Sequence, residues 1–202
     1  MDAATRLPLE RFLTEAIAGG VDMVQLREKN LEDRVLLEYA QLCASTCHRH
    51  GVPFIVNDRA DIALAAGADG VHVGQDDLPV AAVRALLGPD RIVGLSTHSR
   101  EQIDAAGDAD YLGVGPIFET PTKPGRPAVG IELVRYAAAH ARAPFFAIGG
   151  LDPSNVAGVI AAGGRGISVY RWIARADDPA RAARDVVAAM DAARAAGAGA
   201  AG

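Results

Sequence analysis

Four times along the chain the same punctuation recurs: AGGVDMV from Ala18, AGADGVHV from Ala66, AGDADYLGV from Ala106 and AGGRGISV from Ala162. Each reads as a helix ending on glycine, a tight turn, and an apolar strand entering a core, which is the αβ joint of a parallel sheet. Parallel neighbours cannot be joined by a hairpin and need a crossover of a dozen or more residues. Short apolar or β-branched runs at 21–27, 53–58, 70–74, 91–96, 111–118, 144–149 and 166–171 supply seven strands. Their spacing is mostly roughly 20 to 33 residues, room for one helix each. Leu9, Phe12, Leu13, Ala16 and Ile17 follow the helical stripe behind Pro8, and Val80, Val83, Leu86 and Leu87 do so behind Pro79. Asp152-Pro-Ser-Asn is expected to open another helix. Repeated βα units in a chain of 202 residues favour an α/β (β/α)8 TIM barrel. A doubly wound sheet stays open on spacing alone.

Such a barrel needs eight strands, and only seven can be read. The residues before the first helix, MDAATRL, are polar and too short for a strand and a loop, so the barrel's first strand is apparently lacking. The expectation is that the native polypeptide begins upstream of Met1, with about ten more residues carrying that strand. Residues 1–202 read as one domain, with a frayed tail from Gly197. Half the residues are hydrophobic and 22% are charged, enough to bury a core. A net charge of -5 argues against a nucleic-acid or anionic-membrane partner. No apolar run approaches a membrane span, and Asp2, Arg6, Glu10 and Arg11 interrupt the place of a signal peptide, so a cytoplasmic location is expected. Cys43 and Cys47 fall on an apolar helical stripe with Leu36 and Ala40, which favours buried packing over a metal site with His48 and His50.

In a barrel, chemistry belongs at the C-terminal ends of the strands. Period two puts Gln25, Arg27 and Lys29 on one face, a fork and a point charge suited to phosphates. The next two strands end in Asn57-Asp58-Arg59 and Gln75-Asp76-Asp77. Carboxylates at neighbouring strand tips can converge on Mg2+, which takes one or two of them plus phosphate oxygens. Asp77 also stands where a helix cap would, and spacing does not settle which of Asp76 and Asp77 points inward. Ser96-Thr97-His98-Ser99 could bind phosphate or cap the helix that follows. The loop 115–127 holds four prolines and two glycines among thirteen residues and bears Thr120, Thr122, Lys123 and Arg126, the character of a functional lid. Gly149-Gly150, Gly163-Gly164 and Tyr170-Arg171 belong to the last two strands, where barrels hold a phosphate. No Ser-His-Asp or Cys-His arrangement presents itself as a nucleophile system. The chemistry points to a two-substrate transferase with pyrophosphate as leaving group.

QLREK at Gln25, FIVNDRADIALAAGADGVHVGQDD from Phe54, GLSTHS from Gly94, ADYLGVGPIF with TPTKPGRP from Ala109, and AIGG at Ala147 resemble the thiamine-phosphate synthase family, over nearly the whole chain. The resemblance implies a (β/α)8 barrel that joins 4-amino-2-methyl-5-pyrimidinylmethyl diphosphate to a thiazole phosphate in thiamine biosynthesis. It implies that the stretch Gln25, Leu26, Arg27, Glu28 and Lys29, with Asn57, binds the pyrimidine diphosphate, and that Asp58 and Asp77 hold Mg2+. Ser96 and Lys123 would contact the pyrophosphate. Thr120, Pro121, Thr122, Gly150, Tyr170 and Arg171 would surround the thiazole phosphate. Arg27, Lys29, Ser96 and Lys123 would carry the catalysis, which in the family is dissociative: the C–O bond ionises first and the thiazole nitrogen captures the carbocation.

Two departures stand out. Tyr170 and Arg171 replace a small aliphatic residue and Ser, and the family's opening Leu-Tyr-Leu-rich strand has no counterpart before Ala3. Alternative readings are a metal-free thiazole tautomerase on the same fold, a non-catalytic phosphate-ligand-binding barrel, and another phosphate-binding barrel enzyme such as a sugar-phosphate epimerase. The partners expected are the two small-molecule substrates, with homo-oligomerisation left open.

Overall fold

The computed structural model describes residues 7–120 and 127–199. Helix and strand alternate: α1 (Leu9–Ala18), β1 (Val24–Leu26), α2 (Asp33–Arg49), β2 (Phe54–Asn57), α3 (Ala60–Ala66), β3 (Gly70–Val73), α4 (Val80–Leu87) and β4 (Ile92–Thr97). The second half continues with α5 (Arg100–Asp104), β5 (Tyr111–Val114), α6 (Ile131–His140), β6 (Phe145–Ile148), α7 (Val156–Ala161), β7 (Gly166–Ser168), α8 (Arg171–Ala174) and α9 (Pro179–Gly199). The seven strands pair in sequence order, every pair parallel, so each expected strand is present. Except for β4, which is as long as its run and shifted by one residue, their regular portions are shorter than the apolar runs, because the ends of those runs turn into the loops that carry the polar residues. Among the described residues β1 and β7 do not pair, and the TIM-barrel-like sheet is open there. The helices close the ring instead, since α1 packs against both α2 and α9. Gly19 permits that approach: a Cβ there would lie 2.4 Å from the Ala180 carbonyl oxygen and 2.7 Å from Ala183 Cβ.

The repeat has a structural reason at its aspartates. Asp69, just before β3, accepts the Phe54 N–H through Oδ2 at 2.7 Å and gives its own N–H to the Phe54 carbonyl at 2.9 Å. Asp110, just before β5, does the same with Val93, at 2.7 and 2.8 Å. Each carboxylate thereby satisfies a donor at the start of the preceding strand, the first residue of β2 and the second of β4, and fixes the register of the pair.

Apolar side chains that point away from the interior meet the helices in two clusters. One joins β1–β4 to α1–α4, with Phe54, Val56, Val71, Val73 and Val93 at its centre; the other gathers Leu112, Val114, Val134 and Val159. Leu86, expected on the buried stripe of α4, is 56% exposed. It sits six residues after Val80, off the i, i+3, i+7 row that buries Val83 and Leu87. Residues 153–155 form a turn before α7 instead of its first turn. The stretch from Gly197, expected to be frayed, continues α9 as far as Gly199. No helix of the described residues is long and apolar enough to cross a membrane.

Cys43 and Cys47 are fully buried on the inner face of α2, free and unpaired with each other. Burial pushes both thiols up to about 12, with Cys47 adding to the shift at Cys43 and Asp69 to that at Cys47. Neither thiolate forms at neutral pH, so alkylation of the native protein should be negligible and become complete on denaturation. Rapid labelling of the folded protein would contradict this packing.

Candidate active site

Side chains pointing inward from the strands surround a cavity of about 770 Å³. Its walls include Gln25, Arg27, Asn57, Ser96, Thr120, Gly150, Tyr170 and Arg171, so the fold brings these eight expected residues together. Because the sheet is open between β1 and β7, Phe12, Leu13 and Ala16 of α1 and Val186 of α9 also reach it. Leu26 does not line the cavity with its side chain: period two turns it outward, and it is 3% exposed within the β1–β4 cluster. Glu28 does not line the cavity either; its carboxylate accepts the Lys29 N–H at 3.0 Å. Pro121, Thr122 and Lys123 lie outside the described residues.

Beside Asn57, outside the cavity wall, stands a charged cluster. Asp58 takes the left-handed conformation with φ of +63°, a strained choice for a residue with a side chain. Its N–H is held by the His72 carbonyl at 2.8 Å. Its carboxylate accepts Lys29 Nζ at 2.9 Å and shares a hydrogen bond with the Asp77 carboxyl. Burial raises the Asp58 carboxyl above its ordinary range, Lys29 opposes that, and Asp77 adds to it. Asp77 turns inward because the Gly74 N–H donates to its Oδ2 at 2.7 Å, whereas Asp76 is exposed. The capping reading of Asp77 fails, since the N-cap of α4 is Pro79. Two carboxylates from adjacent strands, close enough to share a proton, form an oxygen-only donor pair. That pair fits a magnesium ion that takes its remaining ligands from water and phosphate. Among the described residues no group of three or more His, Cys, Asp or Glu gathers to hold a metal without such help.

Deeper in the cavity lies a polar layer that the sequence reading missed. His72 of β3, 6% exposed, meets the Tyr111 hydroxyl through Nδ1 at 3.0 Å and Ser96 Oγ through Nε2 at 2.8 Å. Gln25 hydrogen-bonds the same Tyr111 hydroxyl. Tyr111 is backed edge-on by Phe146, with ring centroids 5.4 Å apart. Gly94 makes the room, for a Cβ there would lie 2.2 Å from Tyr111 Cζ and 2.5 Å from His72 Nδ1. His72 stood in an apolar run and read as strand; glycines at inward positions of the two following strands, Gly94 and Gly113, were the signal available. Of the two readings of the STHS stretch, capping belongs to Ser99, whose Oγ accepts the Gln102 N–H at 3.3 Å, and Ser96 faces the cavity.

At the opposite wall, Gly149 and Gly150 have φ of +94° and +68°. A Cβ on Gly150 would sit 2.7 Å from Phe118 Cβ and 2.9 Å from the Glu119 carbonyl oxygen, so only glycine lets the loop after β5 press down and bring Thr120 to the cavity. Asn155 Nδ2 donates to the Gly150 carbonyl at 2.8 Å and steadies the turn. Tyr170 ends the segment after β7 and Arg171 opens α8; both line the cavity, and Arg171 also borders an outer hollow with Trp172 and Arg175. Four arginines line the cavity, Arg27, Arg165, Arg171 and Arg194, around an interior walled by Tyr111, Phe146 and Ile148, while Lys29 stands beside it on Asp58.

A family model described as thiamine monophosphate synthase matches residues 2–173. A thiamine-phosphate synthase from Arthrobacter sp. (strain FB24) is 50% identical over 90% of this chain and 87% of its own length. One from Acidothermus cellulolyticus is 51% identical, over 92% and 89%. Among solved structures, a thiamine phosphate pyrophosphorylase from Pyrococcus furiosus is similar with a TM-score of 0.84 at 30% identity, covering 92% of this chain and 91% of that one. Orotidine 5'-phosphate decarboxylase from Pyrococcus horikoshii, at 16% identity and a TM-score of 0.67, shares the fold alone.

Proposed function

The chain belongs to the thiamine-phosphate synthase family, and we propose that it joins 4-amino-2-methyl-5-pyrimidinylmethyl diphosphate to 4-methyl-5-(2-phosphooxyethyl)thiazole, giving thiamine phosphate and pyrophosphate. The observation that carries this reading is the juxtaposition of Lys29, Asp58 and Asp77 with Arg27, Asn57 and Ser96 at one end of a cavity whose other end holds Gly150 and Arg171. A diphosphate fits the first end and a monophosphate the second. Asp58 and Asp77 would hold Mg2+, which when bound supplies charge neutralisation to the pyrophosphate.

The chain's own groups do the rest. Arg27 and Lys29 grip the diphosphate and Ser96 donates to it, and the family resemblance assigns Lys123 to the same pyrophosphate. The C–O bond breaks with its electron pair leaving on pyrophosphate, and the pyrimidine delocalises the positive charge on its methylene carbon. The thiazole nitrogen then forms the C–N bond and becomes a thiazolium. No proton is lost in that step, so no general base is required. Phe146, Ile148 and Tyr111 keep water from the cation. His72 engages Tyr111 and Ser96 through its two ring nitrogens. The enzyme would work in the cytoplasm on these two small molecules.

Incubation of both substrates with Mg2+ should yield thiamine phosphate and pyrophosphate in equal amounts, and absence of both would overturn the reading. Arg171→Ala should raise the thiazole phosphate KM by about tenfold with kcat little changed, because a charge-assisted contact to a non-reacting phosphate acts on ground and transition states alike. A lower kcat at unchanged KM would place Arg171 against the pyrophosphate instead.

A further inference from the structure

We propose that His72 is a positioning residue: its neutral ring, protonated at Nε2, turns the Ser96 hydroxyl proton toward the cavity, so that Ser96 meets the leaving diphosphate as a hydrogen-bond donor. The inference rests on the synthase reading, which puts a diphosphate against Ser96.

Four strands contribute to the arrangement, Gln25 from β1, His72 from β3, Ser96 from β4 and Tyr111 from β5. His72, Ser96 and Tyr111 are between 2% and 6% exposed, where a polar side chain is costly unless satisfied. Among the described residues no buried side-chain polar atom lacks a partner. The contacts form one line: Gln25 to the Tyr111 hydroxyl, that hydroxyl to His72 Nδ1 at 3.0 Å, and His72 Nε2 to Ser96 Oγ at 2.8 Å. A neutral imidazole has one donor and one acceptor nitrogen, and a phenol has one proton, so the protons along this line can run in only two senses.

In the first, Gln25 donates to the Tyr111 oxygen, Tyr111 donates to Nδ1, and Nε2–H donates to Ser96. The serine proton is then free of His72 and points elsewhere. In the second sense every bond reverses, and Ser96 spends its proton on Nε2 and offers only lone pairs to the cavity. An anionic oxygen accepts from a donor and is repelled by lone pairs, so only the first sense suits a diphosphate. Burial holds the Tyr111 phenol protonated well above its ordinary range, and the hydrogen bond from Gln25 opposes that, as a bond donated to the phenolic oxygen does. Gly94 and Phe146 lock the geometry: the rings of His72 and Tyr111 fill the space that a Cβ on Gly94 would need, and Phe146 stops Tyr111 from retreating.

The ring tautomer can be read directly. In proton–nitrogen correlation spectra of the 15N-histidine protein, with His72→Gln identifying its signals among the five histidines, His72 should carry its proton on Nε2 at neutral pH, with or without pyrophosphate. A proton on Nδ1 alone, or on both nitrogens, overturns the proposal whatever the activity. Kinetics supply the second arm. His72→Asn keeps a polar atom toward Tyr111 but loses the reach to Ser96, and should lower kcat/KM for the pyrimidine diphosphate about tenfold. His72→Gln restores a donor toward Ser96 and should recover most of that loss. In a Ser96→Ala background, His72→Asn should cost no more than about twofold, because its effect runs through Ser96. Equal losses in both backgrounds would reduce His72 to a structural role. A wild-type protein without synthase activity would defeat the functional reading, and the tautomer would still decide this one.

Discussion

Asp58→Asn and Asp77→Asn should each lower turnover by well over tenfold, while Asp76→Asn, whose side chain is exposed, should change it little. The exchange isolates charge. Asparagine tolerates the left-handed backbone that Asp58 adopts at φ +63°, and an amide oxygen at position 77 still accepts the Gly74 N–H. What disappears is half of the paired negative charge facing the diphosphate site, and one ligand of a charge-neutralising cation forfeits several kcal/mol of transition-state stabilisation. Titration with Mg2+ or Mn2+ should show the same two variants weakened in metal affinity. Since burial and Asp77 hold the Asp58 carboxyl above its ordinary range against the pull of Lys29, protons compete for this site. The magnesium concentration needed for half-maximal rate should therefore rise as pH falls. Equal losses at Asp76 and Asp77, or full activity in excess chelator, would sink the metal assignment.

The second large effect is expected at a residue that touches no substrate. Gly94→Ala puts a methyl group 2.2 Å from Tyr111 Cζ and 2.5 Å from His72 Nδ1. Neither ring can yield, because Phe146 stands behind Tyr111 and His72 is tethered to Ser96. Overpacking of this kind costs about 1–3 kcal/mol, and displacement of His72 and Tyr111 should lower turnover as well. Urea melts and steady-state kinetics of one preparation test both. Gly197→Ala serves as the control, for nothing lies within 4 Å of its Cβ and its helical setting predicts a slight gain in stability. An unperturbed Gly94→Ala protein would mean that the interior layer is looser than its distances imply.

The alternation of helix and strand was legible because four of the joints repeat the same Ala-Gly punctuation before an apolar run, and period two correctly put Gln25 and Arg27 inside and Leu26 outside. The carboxylate pair was legible as two strand tips, but not the choice between Asp76 and Asp77, which is made by a backbone N–H of Gly74 that no side-chain pattern records. The interior line of His72, Tyr111 and Ser96 escaped because its members come from three strands, and a histidine within VHV looks like any strand residue until the neighbouring glycines are set against it. Leu86 misled because a run of apolar residues after Pro79 is longer than the face that α4 buries. The continuation of α9 through Gly197 escaped because glycine and alanine repeats read as a flexible end when the helix behind them is not counted.

Asp69 and Asp110 tie strand to strand at the end of the sheet opposite the chemistry. Which residues face inward is therefore decided at one end, and what those residues meet is decided at the other. A loop on the reactive end can lengthen, shorten or change composition without moving any strand by a residue, whereas a change at either aspartate threatens the alternation along two strands at once.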